Sequence, residues 1–323
     1  MSKPKVIVTR RWPAAVEARL RELFDVTLNE ADVPLSADQL KDALRHHDAV
    51  LPTVTDALTA EVLGAEPLRA RMLGNFGVGY NHIDIEAAMA RGITVTNTPD
   101  VLTDCTADIA VTLMLMVARR AGEGEREVRS GHWAGWRPTH LIGTKVTGKT
   151  LGLIGFGRIA RALAKKAHYG FDMPVIFYTP HPPEDEVCRD LGAKPCASIE
   201  EVLKQADFVS LHCPGSKENR HLIDAERLAL MKPGAFLINT ARGDVVDNDA
   251  LVRALKNKTI AGAGLDVYEG EPHVNPGFLE LENVVLLPHM GSSTEETRAA
   301  MGLRVVENLS AYFAGQVPRD KVV

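Results

Sequence analysis

The chain has 323 residues, more than one hydrophobic core usually serves, so its length predicts two domains. Hydrophobic residues make up 45% of it and charged residues 24%, which is ordinary for a globular protein. The formal net charge of −5 offers no electrostatic footprint for nucleic acid or for an anionic membrane, so neither partner is expected.

The N-terminal segment shows no export signal, because Met1–Lys5 runs directly into the strand-like Val6–Val8 without an apolar region and cleavage site. The longest apolar stretch, Ile109–Ala118, is too short to span a bilayer. The four cysteines form neither a CxxC motif nor a disulfide framework, and His46, His47 and His181 have no partners at metal-ligand spacing. We therefore expect a cytoplasmic protein with reduced thiols and no metal.

The first hundred residues alternate short apolar runs with amphipathic segments, which is typical of a parallel sheet covered by helices. The predicted strands are Lys5–Thr9, Val26–Leu28, Ala49–Leu51, Met72–Gly74 and Thr94–Thr96. The predicted helices are Pro13–Leu23, Ala37–Leu44, Ala60–Leu63 and Asp84–Arg91. No glycine-rich phosphate loop opens any of these helices, so this half is predicted to be a doubly wound domain that holds no nucleotide.

A helix at about Thr103–Arg120 is apolar nearly all round, which predicts burial on more than one side. The strand and helix alternation restarts at Thr150. The predicted strands are Thr150–Ile154, Val175–Tyr178, Phe208–Leu211, Ala235–Asn239, Gly262–Asp266 and Val284–Leu287. The predicted helices are Arg158–His168, Ile199–Gln205, Ala225–Leu230, Asp249–Lys256 and Thr294–Ala314.

A dinucleotide fingerprint opens this second half, where Gly155-Phe156-Gly157-Arg158-Ile159-Ala160 follows a strong strand. Gly155 makes the tight turn, Gly157 lets the backbone approach a pyrophosphate, and the small Ala160 lets the helix pack on the strand. The pyrophosphate would sit on the free N–H groups at the helix start, within reach of Arg158. We expect residues 100–287 to form an NAD(P)-binding domain, and residues 1–99 with 288–323 to form a substrate domain.

The position after the second strand of this half bears on which dinucleotide binds. An NAD site usually has an acidic residue there that accepts from the ribose 2′-OH, whereas this chain has Thr179-Pro180-His181. A carboxylate would repel a 2′-phosphate, so its absence permits NADP, although no arginine stands beside Thr179 to grip that phosphate. The sequence favours NADPH and leaves NADH as the alternative.

Three polar groups follow three successive predicted strands: Arg242 in Thr-Ala-Arg-Gly, Glu271 before Pro272, and His289 in Pro-His-Met-Gly. The carboxyl ends of parallel strands face the ligand crevice in such sheets. A guanidinium, a carboxylate and an imidazole are the groups needed to reduce a carbonyl beside a carboxylate. With the glycine fingerprint, they indicate a nicotinamide-dependent oxidoreductase acting on a small 2-oxo or 2-hydroxy acid.

These strings, in this order and spacing over essentially the whole length, resemble the D-2-hydroxy-acid dehydrogenase family. Asn75–Asp84 and Asn97-Thr98-Pro99 in the first half also match it. Trp133 and Trp136 make the glyoxylate/hydroxypyruvate reductase (glycerate dehydrogenase) branch the most similar one. The resemblance implies an α/β protein with two doubly wound parallel-sheet domains, one a Rossmann dinucleotide-binding domain and one flavodoxin-like.

The resemblance also implies roles for the three polar groups, and their chemistry supports these roles independently. Arg242 would hold the substrate carboxylate and polarise the oxo group, because a planar fork of donors suits both oxygens. His289 would donate a proton to the carbonyl oxygen as hydride arrives, and Glu271 would hydrogen-bond the other ring nitrogen and favour the charged imidazole.

Further contacts are implied by the resemblance and add to those that the glycine fingerprint predicts. Backbone N–H groups of Val78 and Gly79 would bind the carboxylate, and Asp266 would contact the nicotinamide amide. The remaining expected cofactor contacts are Thr106, Gly155, Phe156, Gly157, Arg158, Ile159, Thr179, Cys213, Pro214, Thr240, Ala241, His289, Gly291 and Ser292. A homodimer is implied as well, in which Trp136 reaches the active site of the neighbouring subunit.

The residues also bear on functions other than the reduction of a 2-oxo acid. The same architecture serves dinucleotide-sensing corepressors, but the chain keeps all three catalytic residue types and ends soon after its last predicted helix. Relatives acting on formate carry glutamine where this chain has Glu271, which disfavours formate. Phosphite oxidation, or a preference for another D-2-hydroxy acid, is compatible with the three residue types.

Overall fold

The computed structural model describes residues 3–323. The strands are β1 (Lys5–Val8), β2 (Asp25–Leu28), β3 (Ala49–Leu51), β4 (Met72–Gly74), β5 (Thr94–Thr96), β6 (Leu151–Ile154), β7 (Val175–Tyr178), β8 (Ala193–Pro195), β9 (Phe208–Leu211), β10 (Phe236–Asn239), β11 (Gly262–Leu265) and β12 (Val284–Leu286). The helices are α1 (Ala14–Leu23), α2 (Ala37–His46), α3 (Ala60–Leu63), α4 (Ile85–Ala90), α5 (Thr103–Ala118), α6 (Ala121–Arg129), α7 (Arg158–Phe171), α8 (Asp185–Asp190), α9 (Ile199–Gln205), α10 (Ala225–Leu230), α11 (Asn248–Lys256), α12 (Pro276–Leu279) and α13 (Glu295–Phe313).

These elements belong to two compact units. Unit 1 contains the chain up to Leu102 together with Ser292–Val323, and unit 2 contains Thr103–Gly291. The chain therefore leaves unit 1 once and returns to it for its last helix. His289 lies in unit 2, just before this return.

Unit 1 is a five-stranded parallel sheet in the order β2-β1-β3-β4-β5. This is the flavodoxin-like 2-1-3-4-5 order, in agreement with the flavodoxin-like domain that the resemblance implies. Close packing explains why the last helix belongs here. A Cβ on Gly302 of α13 would lie 2.6 Å from Val16 of α1, and a Cβ on Gly74 of β4 would lie 2.8 Å from Val305 of α13. The two glycines therefore let α13 pack closely on the sheet and on α1.

Unit 2 is a seven-stranded parallel sheet in the order β12-β11-β10-β9-β6-β7-β8. Renumbered from β6, this is the 3-2-1-4-5-6 order of dinucleotide-binding folds with a seventh strand added beside the sixth. The strand order reverses between β6 and β9, and ligands of such sheets bind at this switch point, beyond the carboxyl ends of the strands. The predicted pair of parallel-sheet domains is thus confirmed.

Helix α5 packs into unit 2 with seven of its 16 residues buried, whereas Asp104, Asp108 and Thr112 are exposed, so the predicted burial holds for part of its circumference. Its buried residues include Ala107, Ala110, Leu113 and Met114. A Cβ on Gly264 of β11 would lie 2.8 Å from the Cβ of Leu113. The glycine at this position therefore lets α5 lie close to the sheet. The helix ends at Ala118, two residues before the predicted end.

Four elements were not predicted: α6, α8, β8 and α12. Helix α6 follows Arg120, which adopts a left-handed conformation with φ +53° and separates α6 from α5. The α6 sequence is polar, has two glycines and buries none of its residues, so it lacks the apolar periodicity on which such predictions depend. Strand β8 has three residues and ends in Pro195 at the sheet edge, where a missing N–H is tolerated.

All four cysteines are free thiols. Among residues 3–323, no helix combines the length and the apolar character needed to cross a membrane. The same residues contain no cluster of three or more histidine, cysteine, aspartate or glutamate side chains arranged to hold a metal ion.

Candidate functional site

The glycine turn after β6 has the geometry that a dinucleotide needs. Gly155 has φ +89°, and a Cβ there would lie 2.7 Å from the carbonyl group of His212, so only glycine fits. Its N–H donates to the carbonyl of Tyr178 over 2.9 Å, which ties the turn to β7. A Cβ on Gly157 would meet nothing within 4 Å, so the backbone at this position is open to a ligand.

Helix α7 begins directly after this turn. Gly157 is its N-cap and supplies no side-chain cap, so the N–H groups of the first turn keep the capacity to bind an anion. Ala160 is fully buried against the sheet. The turn and the helix start can therefore accept the pyrophosphate of a dinucleotide on the backbone N–H groups of the first helical turn.

Phe156, between the two glycines, has its side chain in the core. The ring is 3% exposed and stacks on Phe177 with centroids 3.8 Å apart. Arg161 donates from Nε to the Phe156 carbonyl over 3.1 Å. Only the backbone of Phe156 remains to contact a ligand, so its side chain serves to fix the turn.

The end of β7 carries no carboxylate. Thr179 is half-buried, Pro180 and His181 are exposed, and the first acidic side chain is that of Glu184, the N-cap residue of α8. The position that usually binds the 2′-OH of the adenosine ribose is thus a neutral hydroxyl. These residues fit NADP and do not repel NAD.

His212 was not predicted, yet it lies against the glycine turn. Its N–H donates to the Ile154 carbonyl over 2.7 Å, and its Nε2 lies 2.9 Å from the hydroxyl of Ser210. Burial lowers the pKa of His212 to about 4, so the ring is neutral at neutral pH. Burial also raises the pKa of the next residue, Cys213, to about 11, so this thiol is protonated and unreactive. The Leu-His-Cys-Pro string at the end of β9 was the available signal.

The loop after β10 places Arg242, and the buried Asn239 shapes this loop. Asn239 donates from Nδ2 to the Arg242 carbonyl over 2.8 Å and accepts at Oδ1 from the N–H of Ala241 over 3.0 Å. The guanidinium of Arg242 donates from Nη1 to the Ala241 carbonyl over 2.7 Å. Thr240, in the same loop, is buried with its hydroxyl unpartnered among the described residues. Asn239 is a site residue that sequence reasoning missed.

Gly243 brings this loop against the loop after β11. A Cβ there would lie 1.8 Å from the carbonyl carbon of Tyr268, which excludes any side chain. Burial lowers the pKa of Arg242, while the charges of Glu271 and Asp244 act in the opposite direction. The guanidinium remains charged near neutral pH because its ordinary pKa is so high.

Glu271 connects the loop after β11 to the imidazole of His289. One carboxylate oxygen accepts from the Tyr268 N–H over 2.9 Å, and the other lies 2.8 Å from Nδ1 of His289. Burial acts to raise the pKa of Glu271, but the hydrogen bond to His289, the nearby charges and the Tyr268 N–H together lower it. Glu271 is therefore a carboxylate that accepts from Nδ1–H, and Nε2 of His289 has no protein partner among the described residues.

His289 itself has a left-handed backbone, with φ +55°. Residues other than glycine are strained in this conformation, at roughly 1–3 kcal/mol each. Asp266, which is 1% exposed, holds the turn by accepting from the N–H groups of Met290 over 2.6 Å and Gly291 over 2.8 Å. Burial raises the pKa of Asp266, and these N–H groups oppose the rise. Thr106 donates to the Gly291 carbonyl over 3.1 Å, which anchors the turn to α5.

Some predicted site residues lie outside the group of strand ends that carries Arg242, Glu271 and His289. Val78 and Gly79 follow β4 in unit 1, and Ser292 is the first residue after the return to unit 1. Trp136 is 83% exposed in an irregular stretch after α6, and Trp133 in the same stretch is 54% exposed. Within unit 2, the structure brings together Arg242, Glu271 and His289 at the ends of three neighbouring strands.

Comparison with known proteins agrees with this geometry. Residues 111–291 match the family described as "D-isomer specific 2-hydroxyacid dehydrogenase, NAD binding domain". A glyoxylate reductase of Thermococcus litoralis is 46% identical over 99% of this chain and 97% of its own length. A glycerate dehydrogenase of Hyphomicrobium methylovorum is 38% identical over 98% of each chain.

Solved structures are similar over the same extent. An NADPH-dependent glyoxylate/hydroxypyruvate reductase from Sinorhizobium meliloti, in complex with NADP and malonate, is 35% identical with a TM-score of 0.89, covering 100% of this chain and 97% of that chain. The family match covers more than half of the chain, and the relatives span nearly all of it. The chain belongs to the D-isomer specific 2-hydroxyacid dehydrogenase family of oxidoreductases.

Proposed function

We propose that this protein reduces a small 2-oxo acid, glyoxylate or hydroxypyruvate, to the D-2-hydroxy acid, glycolate or D-glycerate, with NADPH or NADH. The observation that carries the proposal is the Glu271–His289 hydrogen bond with Arg242 on the neighbouring strand end. This arrangement supplies a proton donor, a group that orients it and a carboxylate-binding cation. The names of the glyoxylate reductase and glycerate dehydrogenase relatives support the same substrate class.

Each of the three residues has one task in this proposal. Arg242 binds the substrate carboxylate and polarises the oxo group through its fork of N–H donors. His289 donates the proton on Nε2 to the carbonyl oxygen, while a bound reduced nicotinamide supplies the hydride to the carbonyl carbon. Glu271 accepts from Nδ1–H and so orients the ring and favours its charged form. Asp266 keeps the His289 turn in place and contributes to the nicotinamide end.

The cofactor is proposed to lie along the carboxyl ends of β6, β7, β9, β10 and β11. Backbone at Gly155, Phe156, Gly157 and Ile159 would hold its pyrophosphate, with Arg158 nearby, and Thr179 would face its adenosine ribose. The groups proposed to line the rest of its path are Thr106, Cys213, Pro214, Thr240, Ala241, Asp266, His289, Gly291 and Ser292.

NADPH is proposed as the preferred donor because β7 ends in a neutral residue. We expect Thr179→Asp to shift the ratio of kcat/KM for NADPH over NADH toward NADH by about 10-fold or more, since the new carboxylate accepts from a ribose 2′-OH and repels a 2′-phosphate. The measurement is steady-state kinetics with both donors at saturating glyoxylate. Thr144→Asp, at a threonine between α6 and β6 that is half-buried like Thr179, is the matched control and should leave the ratio unchanged.

The pH dependence of reduction tests the role of Glu271. Its pKa lies below the ordinary value, so it stays ionised as pH falls through the mildly acidic range and keeps favouring the charged imidazole. In Glu271→Gln the imidazole loses this support, and we expect the alkaline fall in kcat/KM to begin at lower pH. Oxidation of the hydroxy acid, which needs the neutral ring, should be impaired less at high pH. A profile identical to wild type would contradict the role.

Unit 1 is proposed as the substrate domain, with the Val78 and Gly79 N–H groups binding the substrate carboxylate. We also propose a homodimer in which Trp136 reaches the neighbouring subunit. Large apolar side chains exposed between α6 and β6, and at the end of α6, support this: Val128, Trp133, Trp136 and Ile142. The four free thiols fit a cytoplasmic location.

One experiment tests the proposed function as a whole. Purified protein is assayed with NADH and NADPH against glyoxylate, hydroxypyruvate, pyruvate and a bulkier 2-oxo acid. We expect NADPH or NADH to be oxidised, and kcat/KM to be higher for glyoxylate or hydroxypyruvate than for the other two acids. Turnover of none of the four acids would contradict the proposal, and turnover of phosphite with the oxidised cofactor would replace it.

A further inference from the structure

We propose that Asn75 and Asn97 are positioning residues that aim the backbone N–H groups of Val78 and Gly79 at the substrate carboxylate, an inference that rests on the proposed function. Neither side chain touches the substrate in this account. Each acts through the carbonyl groups of the turn that follows β4. The proposal lies entirely within unit 1.

Asn75 binds two carbonyl groups of this turn. It follows β4 directly and is fully buried. Its Nδ2 donates to the carbonyls of Gly77 and Gly79, each over 3.0 Å. Both hydrogens of the amide are therefore used, and the turn is closed around one side chain.

The carbonyls of Gly77 and Gly79 fix which way round the Asn75 amide lies, and His82 contacts its oxygen. Its Nε2 is 3.0 Å from Oδ1 of Asn75, so the ring donates to the oxygen and the nitrogen faces the turn. An amide rotated by half a turn would place its oxygen against two carbonyl oxygens and would lose both hydrogen bonds to the turn. The orientation of Asn75 is thus set by its surroundings.

Asn97 holds the carbonyl between these two. Its Nδ2 donates to the Val78 carbonyl over 2.9 Å, and the N–H of the next residue, Thr98, donates to the Gly77 carbonyl over 3.0 Å. The backbone of Asn97 is itself anchored, because its N–H donates to the Asp320 carbonyl over 3.2 Å. The three successive carbonyls of Gly77, Val78 and Gly79 therefore all accept hydrogen bonds from the protein.

Fixing a carbonyl fixes the N–H of the following residue. The two groups belong to one planar trans peptide and point in opposite directions. Asn75 and Thr98, acting on the Gly77 carbonyl, thereby aim the N–H of Val78, and Asn97, acting on the Val78 carbonyl, aims that of Gly79. Neither N–H has an acceptor among the described residues. Successive N–H groups presented in this way form an anion-binding concavity.

The kinetic test compares Asn75→Ala and Asn97→Ala with Asn29→Ala. Asn29 is a matched control, because its Nδ2 also donates to two carbonyls, those of Thr9 and Val33, at a turn after β2. We expect KM for glyoxylate to rise about 10- to 100-fold in the first two variants, since a mobile peptide loses its preorganised donor. We expect kcat to change less than about threefold and the Kd of NADPH to stay at its wild-type value.

Asn29→Ala should keep the wild-type KM. Equal KM values in all four proteins, or a fall in kcat without a rise in KM, would overturn the inference. If the alanine variants do not fold, Asn75→Asp provides the test, because it keeps the acceptor for His82 and removes both donors. A wild-type KM for Asn75→Asp would also overturn the inference.

A second readout does not depend on turnover. Protein labelled with ¹⁵N-valine and ¹⁵N-glycine is titrated with oxalate, and the amide signals of Val78 and Gly79 are followed by NMR. We expect both to shift in wild type, the Val78 shift to shrink in Asn75→Ala, and the Gly79 shift to shrink in Asn97→Ala. Unmoved wild-type signals would overturn the inference, whereas shifts in a protein that reduces no 2-oxo acid would support it and count against the proposed function.

Discussion

His289→Ala should lower kcat for glyoxylate reduction by about 10²- to 10⁴-fold, the range expected when a positioned proton donor is removed. The reason is the geometry of the ring: Nδ1 is committed to Glu271 over 2.8 Å, and Nε2 is left as the one nitrogen able to serve the substrate. The Kd of NADPH should change far less than kcat, because His289 is one of many groups proposed to contact the cofactor and the one proposed to donate the proton. Steady-state kinetics of glyoxylate reduction measure kcat, and a fluorescence titration with NADPH measures its Kd.

His46→Ala is the control for this prediction. His46 lies on α2 with Nδ1 3.1 Å from Asp42, so it forms a comparable imidazole–carboxylate pair away from the strand ends. It should keep wild-type kcat and a similar melting temperature. If His289→Ala folds and turns over at the wild-type rate, another group is the proton donor.

The second large effect, a loss of kcat/KM, is expected for Arg242→Ala. Removing one partner of a buried, hydrogen-bonded charge pair costs about 2–5 kcal/mol, which corresponds to roughly 30- to several-thousand-fold in kcat/KM. We expect the loss to appear in both KM and kcat, because the guanidinium binds the carboxylate and also polarises the oxo group. Arg242→Lys should recover only part of the activity, since an ammonium cannot make two parallel hydrogen bonds.

Arg227→Ala is the matched control for this second prediction. Arg227, on α10, also donates to a carboxylate, with its Nε and Nη2 each about 3 Å from Glu200. Its loss should lower the melting temperature and leave kcat/KM close to the wild-type value. A wild-type KM and kcat in Arg242→Ala would mean that the carboxylate is bound elsewhere.

The predictable part of the fold and site follows from strand periodicity. Arg242, Glu271 and His289 could be placed together because each follows an apolar strand, and parallel strands end at one edge of the sheet. The glycine turn was predictable because Gly155 and Gly157 satisfy backbone demands that no other residue meets. Short or polar elements such as α6 carry no such period and were missed.

The residues that shape the site escaped prediction for a different reason. Asn239 and Asn75 bind backbone groups two to four residues further along the chain, and the sequence does not reveal which carbonyl a nearby amide will bind. Asp266 illustrates the same point. The resemblance implies a contact with the nicotinamide amide, and the structure adds that both of its oxygens accept from the N–H groups of Met290 and Gly291. Side-chain-to-backbone contacts of this kind need coordinates.

The most direct measurement of the central claim is a crystal structure with NADPH and oxalate, a stable mimic of the 2-oxo acid. We expect Nε2 of His289 to lie about 2.6–3.2 Å from one oxalate oxygen, while the guanidinium of Arg242 binds the carboxylate. Oxalate bound beside the nicotinamide but out of hydrogen-bond reach of both side chains would contradict the account.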